Sequence, residues 1–185
     1  TSGVTFLISL FLQYVQGLSP QGAGLVMIAQ PVMMAIFSPY AGRLSDRVEP
    51  RVIASVGMGI TAGGLLLLCG VSADTSTAFI VACLTALGCG FGLFSSPNMN
   101  AIMGSVERKH YGVASGSVGI MRLLGQMVSM AIATVMFAVF IGRAQITPEH
   151  QAAFIDSVRM ALLVFSGLCL CGVYFSLSRG RLHPP

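Results

Sequence analysis

An all-α integral membrane bundle of six transmembrane helices is the fold class that this amino-acid sequence predicts. Three observations lead there. Of 185 residues, 55% are hydrophobic and only 9% are charged, whereas soluble domains carry roughly 25% charged residues. Residues 1–42 contain no charged side chain at all. The basic residues that follow fall in short clusters between long apolar runs, and those clusters lie almost entirely on one side of the predicted bundle. A mean hydropathy of +0.84 agrees. A surface with so few charges matches lipid as its solvent.

The first charge-free stretch is too long for one helix. Drawn out as an α-helix, residues 1–42 would reach about 63 Å, roughly twice the hydrocarbon core. The chain must fold back, and Gly17-Leu18-Ser19-Pro20 supplies the turn signal. Span one is therefore expected near 3–17 and span two near 21–41. The charged segment Arg43 to Arg51, which includes Pro50, separates span two from span three, near 52–72. Ser72-Ala73-Asp74-Thr75 closes that span, and span four covers about 77–103. After Glu107-Arg108-Lys109-His110 comes span five, near 112–141, with the single charge Arg122 inside it. The polar stretch Gly142 to Gln151 leads to span six, near 155–177, and a basic tail. Barrel strands would alternate with a period of two over about ten residues; these runs are longer and continuously apolar.

Seven basic residues (Arg43, Arg47, Arg51, Arg108, Lys109, Arg179 and Arg181) lie on one side of this arrangement, against Arg143 and Arg159 on the other. By the positive-inside rule, both ends of the segment are expected to be cytoplasmic. The chain starts in an apolar stretch without a basic leader, as a segment of a longer protein would.

Composition also excludes several function classes. A net charge of +4 spread over membrane-flanking clusters suits an anionic leaflet, and no nucleic-acid-binding motif is present. The five cysteines all lie in apolar runs without paired C-x-x-C spacing, which argues against a disulfide framework and a metal site. No cofactor motif occurs either. Gly88-Cys89-Gly90-Phe91-Gly92 lacks the spacing, the preceding strand and the acidic partner of a dinucleotide loop. Without an intramembrane acid pair or a Ser/His constellation, an enzyme is not expected.

Polar groups inside a bilayer must find partners or a wet cavity. Span one carries Ser2, Thr5, Ser9, Gln13 and Gln16 on one helical face. That stripe either lines a water-filled pathway or bonds to neighbouring helices. Span five repeats the pattern with Ser115, Gly119, Arg122, Gln126 and Ser129. A guanidinium at that depth costs several kcal/mol unless paired or hydrated, and it stays protonated. Arg122 thus suits an anionic group or a carboxylate on another helix, with a purely structural role as the alternative. Asn98 and Asn100, around the expected kink at Pro97, and Gln30 beside Pro31 complete the pathway candidates: Ser9, Gln13, Gln16, Gln30, Asn98, Asn100, Arg122 and Gln126. Asp156 and Arg159, three residues apart, form an outer surface pair with no expected transport role.

The loop after span two reads Gly42-Arg43-Leu44-Ser45-Asp46-Arg47-Val48-Glu49-Pro50-Arg51. It resembles the cytoplasmic signature G-x-L-a-D-r-x-G-r-r/k of the major facilitator superfamily. Gly42, Leu44, Asp46, Arg47 and Arg51 match, whereas Glu49 and Pro50 depart from it. Degenerate copies of this kind are common in carboxy-terminal halves of the superfamily. Three further segments are similar to the fourteen-span drug:proton antiporter branch: Gly17 to Gly24, Glu107-Arg108 with Gly112 to Gly116, and Arg122 to Gly125. The resemblance implies one half of a major-facilitator fold, itself an inverted three-plus-three repeat, rocking against a missing amino-terminal half. It implies that the first and fourth helices line the cavity while the second and fifth form much of the interface between halves. It also implies that Asp46 latches the cytoplasmic side against the amino end of span five, with Arg43, Arg47 and Arg51 holding the loop to carboxylates and lipid phosphates. The expected function is proton-coupled export of small hydrophobic or cationic compounds across a bacterial plasma (inner) membrane. Any proton-binding carboxylate should lie in the missing half. A six-span homodimeric channel or permease, or an inactive truncated half-transporter, is the alternative.

Overall fold

The protein is described here from a computed structural model, whose described residues are 2–45, 47–140 and 151–177. Among them there is no strand, and the all-α expectation holds. Helix α1, Ser2–Leu10, continues as a π-helical turn, Phe11–Val15. Gly17 then turns the chain with φ +67°, a left-handed conformation that glycine adopts without a Cβ penalty. The Ser19 hydroxyl caps the next helix by accepting from the Gly22 amide at 3.1 Å, with Pro20 in the first turn.

That second span is two helices in line, α2 (Pro20–Met27) and α3 (Ala29–Ser45). The break falls at Ile28, three residues before Pro31, whose missing N–H leaves the Met27 carbonyl without its usual donor. Helix α4 spans Pro50–Leu68 and α5 spans Thr77–Gly104, the latter capped by Ser76. A short 3-10 turn, Arg108–His110, leads into α6, Tyr111–Phe140, and α7 covers Gln151–Leu177. Five segments are long and apolar enough to cross a membrane, and the shorter Ser2–Val15 is the sixth apolar helix. At 14 residues it is about 21 Å long.

Glycines let the backbones in the middle of the bundle approach closely. On α5, Gly88 and Gly92 face α3. A Cβ at Gly88 would collide with the Gln30 carbonyl, and one at Gly92 would lie 3.0 Å from the Phe37 Cβ. Gly90 faces α4, where Gly57 meets it backbone to backbone. Helices α3, α5 and α4 therefore pack as one sheet-like layer, and α7 closes on α4 through buried hydroxyls. Ser55 donates to Ser176 (3.0 Å), and Ser166 donates to the Ala62 carbonyl (3.3 Å). At the turn after α4 the Arg159 Nε donates to the Val71 carbonyl (2.8 Å), and the Arg159 Nη1 lies 3.7 Å from Asp156.

The apolar core sits toward one end of the bundle. Leu7 and Ile8 of α1 and Phe11 and Leu12 of the π-helical turn cluster with Leu68, Ile80 and Leu84, and with Phe154, Val158 and Leu162 of α7. Phe137 stacks on Phe154, with ring centroids 5.5 Å apart. Helix α6 joins this core only through its later half, where Ser129 and Ala133 are its buried residues. The Gly3 amide donates to the Ser129 hydroxyl (3.1 Å) and fixes α6 to α1 there. From Tyr111 to Val128 the helix has no buried residue. The packing is thus tight at one end of the bundle and open beside α6 at the other.

Candidate functional site in a central cavity

The space between α6 and the rest of the bundle is a cavity of about 990 Å³. That is at the upper end of the usual range for ligand sites. Four elements wall it, each for a local reason. Pro31 interrupts the second span and places Gln30, Pro31 and Met34 on the wall, with Met27 and Ile28 from the break itself. Helix α5 presents one continuous face, Phe91, Phe94, Ser95, Asn98, Met99 and Ile102, at helical spacing. Helix α6 contributes Ser117, Met121, Arg122 and Gln126 along its unpacked half, and α1 contributes Thr5.

Four of the eight pathway candidates meet here: Gln30, Asn98, Arg122 and Gln126. Arg122 lies about 16 Å along α6 from Tyr111. Its side chain is exposed to the cavity side of the bundle and makes no ion pair or hydrogen bond with any described residue. Among the described residues that line the cavity it is the one that carries a charge. The wall therefore joins large apolar surfaces (two phenylalanines and several methionines) to a few separated polar groups and one fixed positive charge.

The other four candidates are placed elsewhere. Gln13 donates to the Ser9 carbonyl (3.2 Å) and to the Ser9 hydroxyl (3.0 Å), so this pair satisfies itself within the π-helical turn. Gln16 reaches the turn between α4 and α5. Its amide donates to the Thr75 carbonyl at 2.6 Å and accepts from the Thr77 hydroxyl at 3.0 Å. Asn100 donates to the Ser45 hydroxyl at 2.9 Å, tying α5 to the end of α3. None of these four lines the cavity. The polar face of span one is thus used mostly for bonding between and within helices, with Thr5 as its contribution to the cavity.

The loop that resembles the signature has a clear local logic. Gly42 lets α3 pass close to α5, since a Cβ there would come within 2.9 Å of the Ser96 hydroxyl oxygen and that side chain would have to turn away. Ser45 donates to the Gly42 carbonyl (2.7 Å), and the Arg47 amide to the Leu44 carbonyl (3.0 Å), which turns the chain. Arg43, Leu44 and Arg47 are exposed. The two departures from the signature act together. Pro50 starts α4, and Glu49 forms an ion pair with Arg51 at 2.7 Å. Asp46 lies outside the described residues, as do Thr1, Arg143, Arg179 and Arg181. Among the described residues no group of His, Cys, Asp and Glu is arranged to hold a metal.

Sequence reasoning missed the aromatic and methionine part of the wall. Those residues read as ordinary lipid-facing or packing side chains, because a cavity and a bilayer present the same apolar surface. A signal was available in span four: Phe91, Phe94, Asn98 and Ile102 share the face that carries Asn98.

Comparison with known proteins is consistent along the whole chain. The family model of the Major Facilitator Superfamily matches residues 1–185. The chain is similar to the riboflavin transporter RibZ of Clostridioides difficile, 27% identical over 94% of this chain and 38% of that protein. It is 31% identical to the uncharacterized transporter YebQ of Escherichia coli, over 92% of this chain and 36% of that protein. It is 30% identical to the multidrug resistance protein Stp of Mycobacterium tuberculosis, over 87% of this chain and 30% of that protein. The chain spans about a third of the length of these curated relatives.

Proposed function

The chain belongs to the major facilitator superfamily, and from that membership we propose that it is the carboxy-terminal six-helix half of a proton-driven exporter of small hydrophobic or cationic compounds. The cavity carries the reading. Its volume suits a drug-sized molecule, and its wall offers apolar surface with a few polar groups to orient a ligand. The drug-resistance relative supports the direction of transport and the class of substrate. A hydrophobic body would rest on Phe91, Phe94 and the methionines. A cation's charge would have to be met from the other half, since the fixed charge here is Arg122.

The exposed helices support a missing partner. Within the most apolar 18-residue stretch of Pro20–Ser45 and of Arg108–Phe140 only 6% of residues are buried, against 50% in that of Pro50–Leu68. These are the second and fifth spans, the pair that the family resemblance assigns to the interface between halves. On this reading the amino-terminal half covers them and closes the cavity, and it also supplies the proton-binding carboxylate. Both ends of the segment face the cytoplasm of a bacterial cell, as the basic clusters require. Asp46 latches that side, with Arg43 and Arg47 available to lipid phosphates.

The test uses the full-length transporter in proteoliposomes with an imposed proton gradient and a panel of lipophilic dyes, cationic and neutral. Movement that collapses with the gradient and falls in Asn98→Ala and Asp46→Asn is the expected result. A panel that never moves with the gradient would end the antiporter reading.

A further inference from the structure

A second cavity of about 230 Å³ lies inside the bundle, and it meets the first at Gln30 and Phe91, which line both. Its remaining wall is chiefly apolar: Val4, Met58, Leu65, Leu87, Phe165 and Leu168. Two hydroxyls border it, and both are engaged by backbone. Thr61 donates to the Gly57 carbonyl (2.9 Å). Ser129 donates to the Gln126 carbonyl (3.1 Å) and accepts from the Gly3 amide (3.1 Å). Water needs two to four polar partners to occupy such a space, and beyond the Gln30 amide at its mouth this wall has little left to give.

We propose that this chamber receives the apolar arm of the transported compound, while the remainder of the molecule stays among Gln30, Asn98 and Gln126 in the main cavity. The inference rests on the transport reading above and adds a substrate class to it: compounds with a flexible alkyl or small aromatic arm. Size is the first argument. A dry apolar cavity of about 150 Å³ takes benzene, so 230 Å³ accepts a short alkyl chain or a fused ring but not a whole drug-sized molecule. Position is the second. The chamber adjoins the main cavity at an aromatic ring and an amide, so an arm passing Phe91 leaves its polar end beside Gln30. Shape is the third, because close helix contacts set part of the chamber wall. Gly90 packs against Thr61 and Gly3 against Ser129, too near for a Cβ at either glycine.

Cys169 is half-buried on the chamber wall and provides the probe. In the full-length transporter with Cys169 as its only cysteine, reaction with a membrane-permeant maleimide is timed in the presence of the ethyl or octyl ester of rhodamine. The octyl ester should slow the reaction by about tenfold, because each buried methylene adds a factor of a few in affinity, and the ethyl ester should leave it unchanged. Equal protection by both esters, or none by the octyl ester, would overturn the proposal and point to a void or lipid-filled chamber. Gradient-driven movement of the same esters is measured separately. Protection without movement would uphold the chamber and count against the transport reading.

Discussion

Gly57 meets the Gly90 carbonyl and the Phe94 amide on α5, and a Cβ placed on it would lie 2.6 Å and 2.7 Å from those backbone atoms. Neither atom belongs to a flexible side chain that can swing away. Gly57→Ala is therefore expected to destabilise the protein by about 1–3 kcal/mol, the usual cost of overpacking. Two residues along, a Cβ at Gly59 meets open space. Gly59→Ala should be neutral or stabilising by up to about 1 kcal/mol, because alanine is the better helix former. Thermal unfolding of the full-length transporter in detergent separates the two: a lower midpoint for the first and none for the second. Equal midpoints would show that α4 and α5 are not held at this distance. These contacts were not readable from the residues alone. Gly57 and Gly59 look alike in sequence, and only the packing partner distinguishes them.

At the scale of elements, the signals that start helices were legible and the destinations of polar side chains were not. Pro20, Pro50 and the capping Ser76 start helices where proline and serine should. The six apolar runs could be counted from charge and hydropathy. The stripe on α1 could not be assigned, because a helical face looks the same whether it borders water or another helix. Gln16 illustrates the point, for its two hydrogen bonds join the end of α1 to the Thr75–Thr77 turn. Losing them should cost about 1–2 kcal/mol. Gln16→Ala is expected to speed amide hydrogen exchange around residues 74–78 while leaving substrate affinity unchanged. Gln13→Ala, whose bonds stay within its own helix, should leave that exchange alone. A loss of substrate affinity in Gln16→Ala would return this residue to the pathway.

For the whole molecule, the distribution of buried surface is the main result. The four helices α3, α4, α5 and α7 hold one another through glycine contacts and buried hydroxyls, while the second and fifth spans keep broad apolar faces uncovered. Such faces are normal against lipid, but the cavity between them is half a container. The 185 residues by themselves are accordingly expected to insert into vesicles without gradient-driven transport, and co-expression with the rest of the protein should restore it. Transport by the segment alone, measured as dye movement under an imposed proton gradient, would refute this. The composition made the membrane legible, and the resemblance of the loop at residues 42–51 implied the half; the cavity itself depended on where Pro31 breaks the second span and where α6 stops packing.

The uneven attachment of α6 has a mechanical consequence. Fixed to α1 at Ser129 and unburied from Tyr111 to Val128, it is a lever about 27 Å long with its fulcrum at mid-helix. A tilt of roughly 10° about that fulcrum would carry Tyr111 about 5 Å and Arg122 about 2 Å. A small rotation at one anchored serine is thus amplified toward Tyr111, within the reach of the short link, residues 105–110, that joins this end to α5.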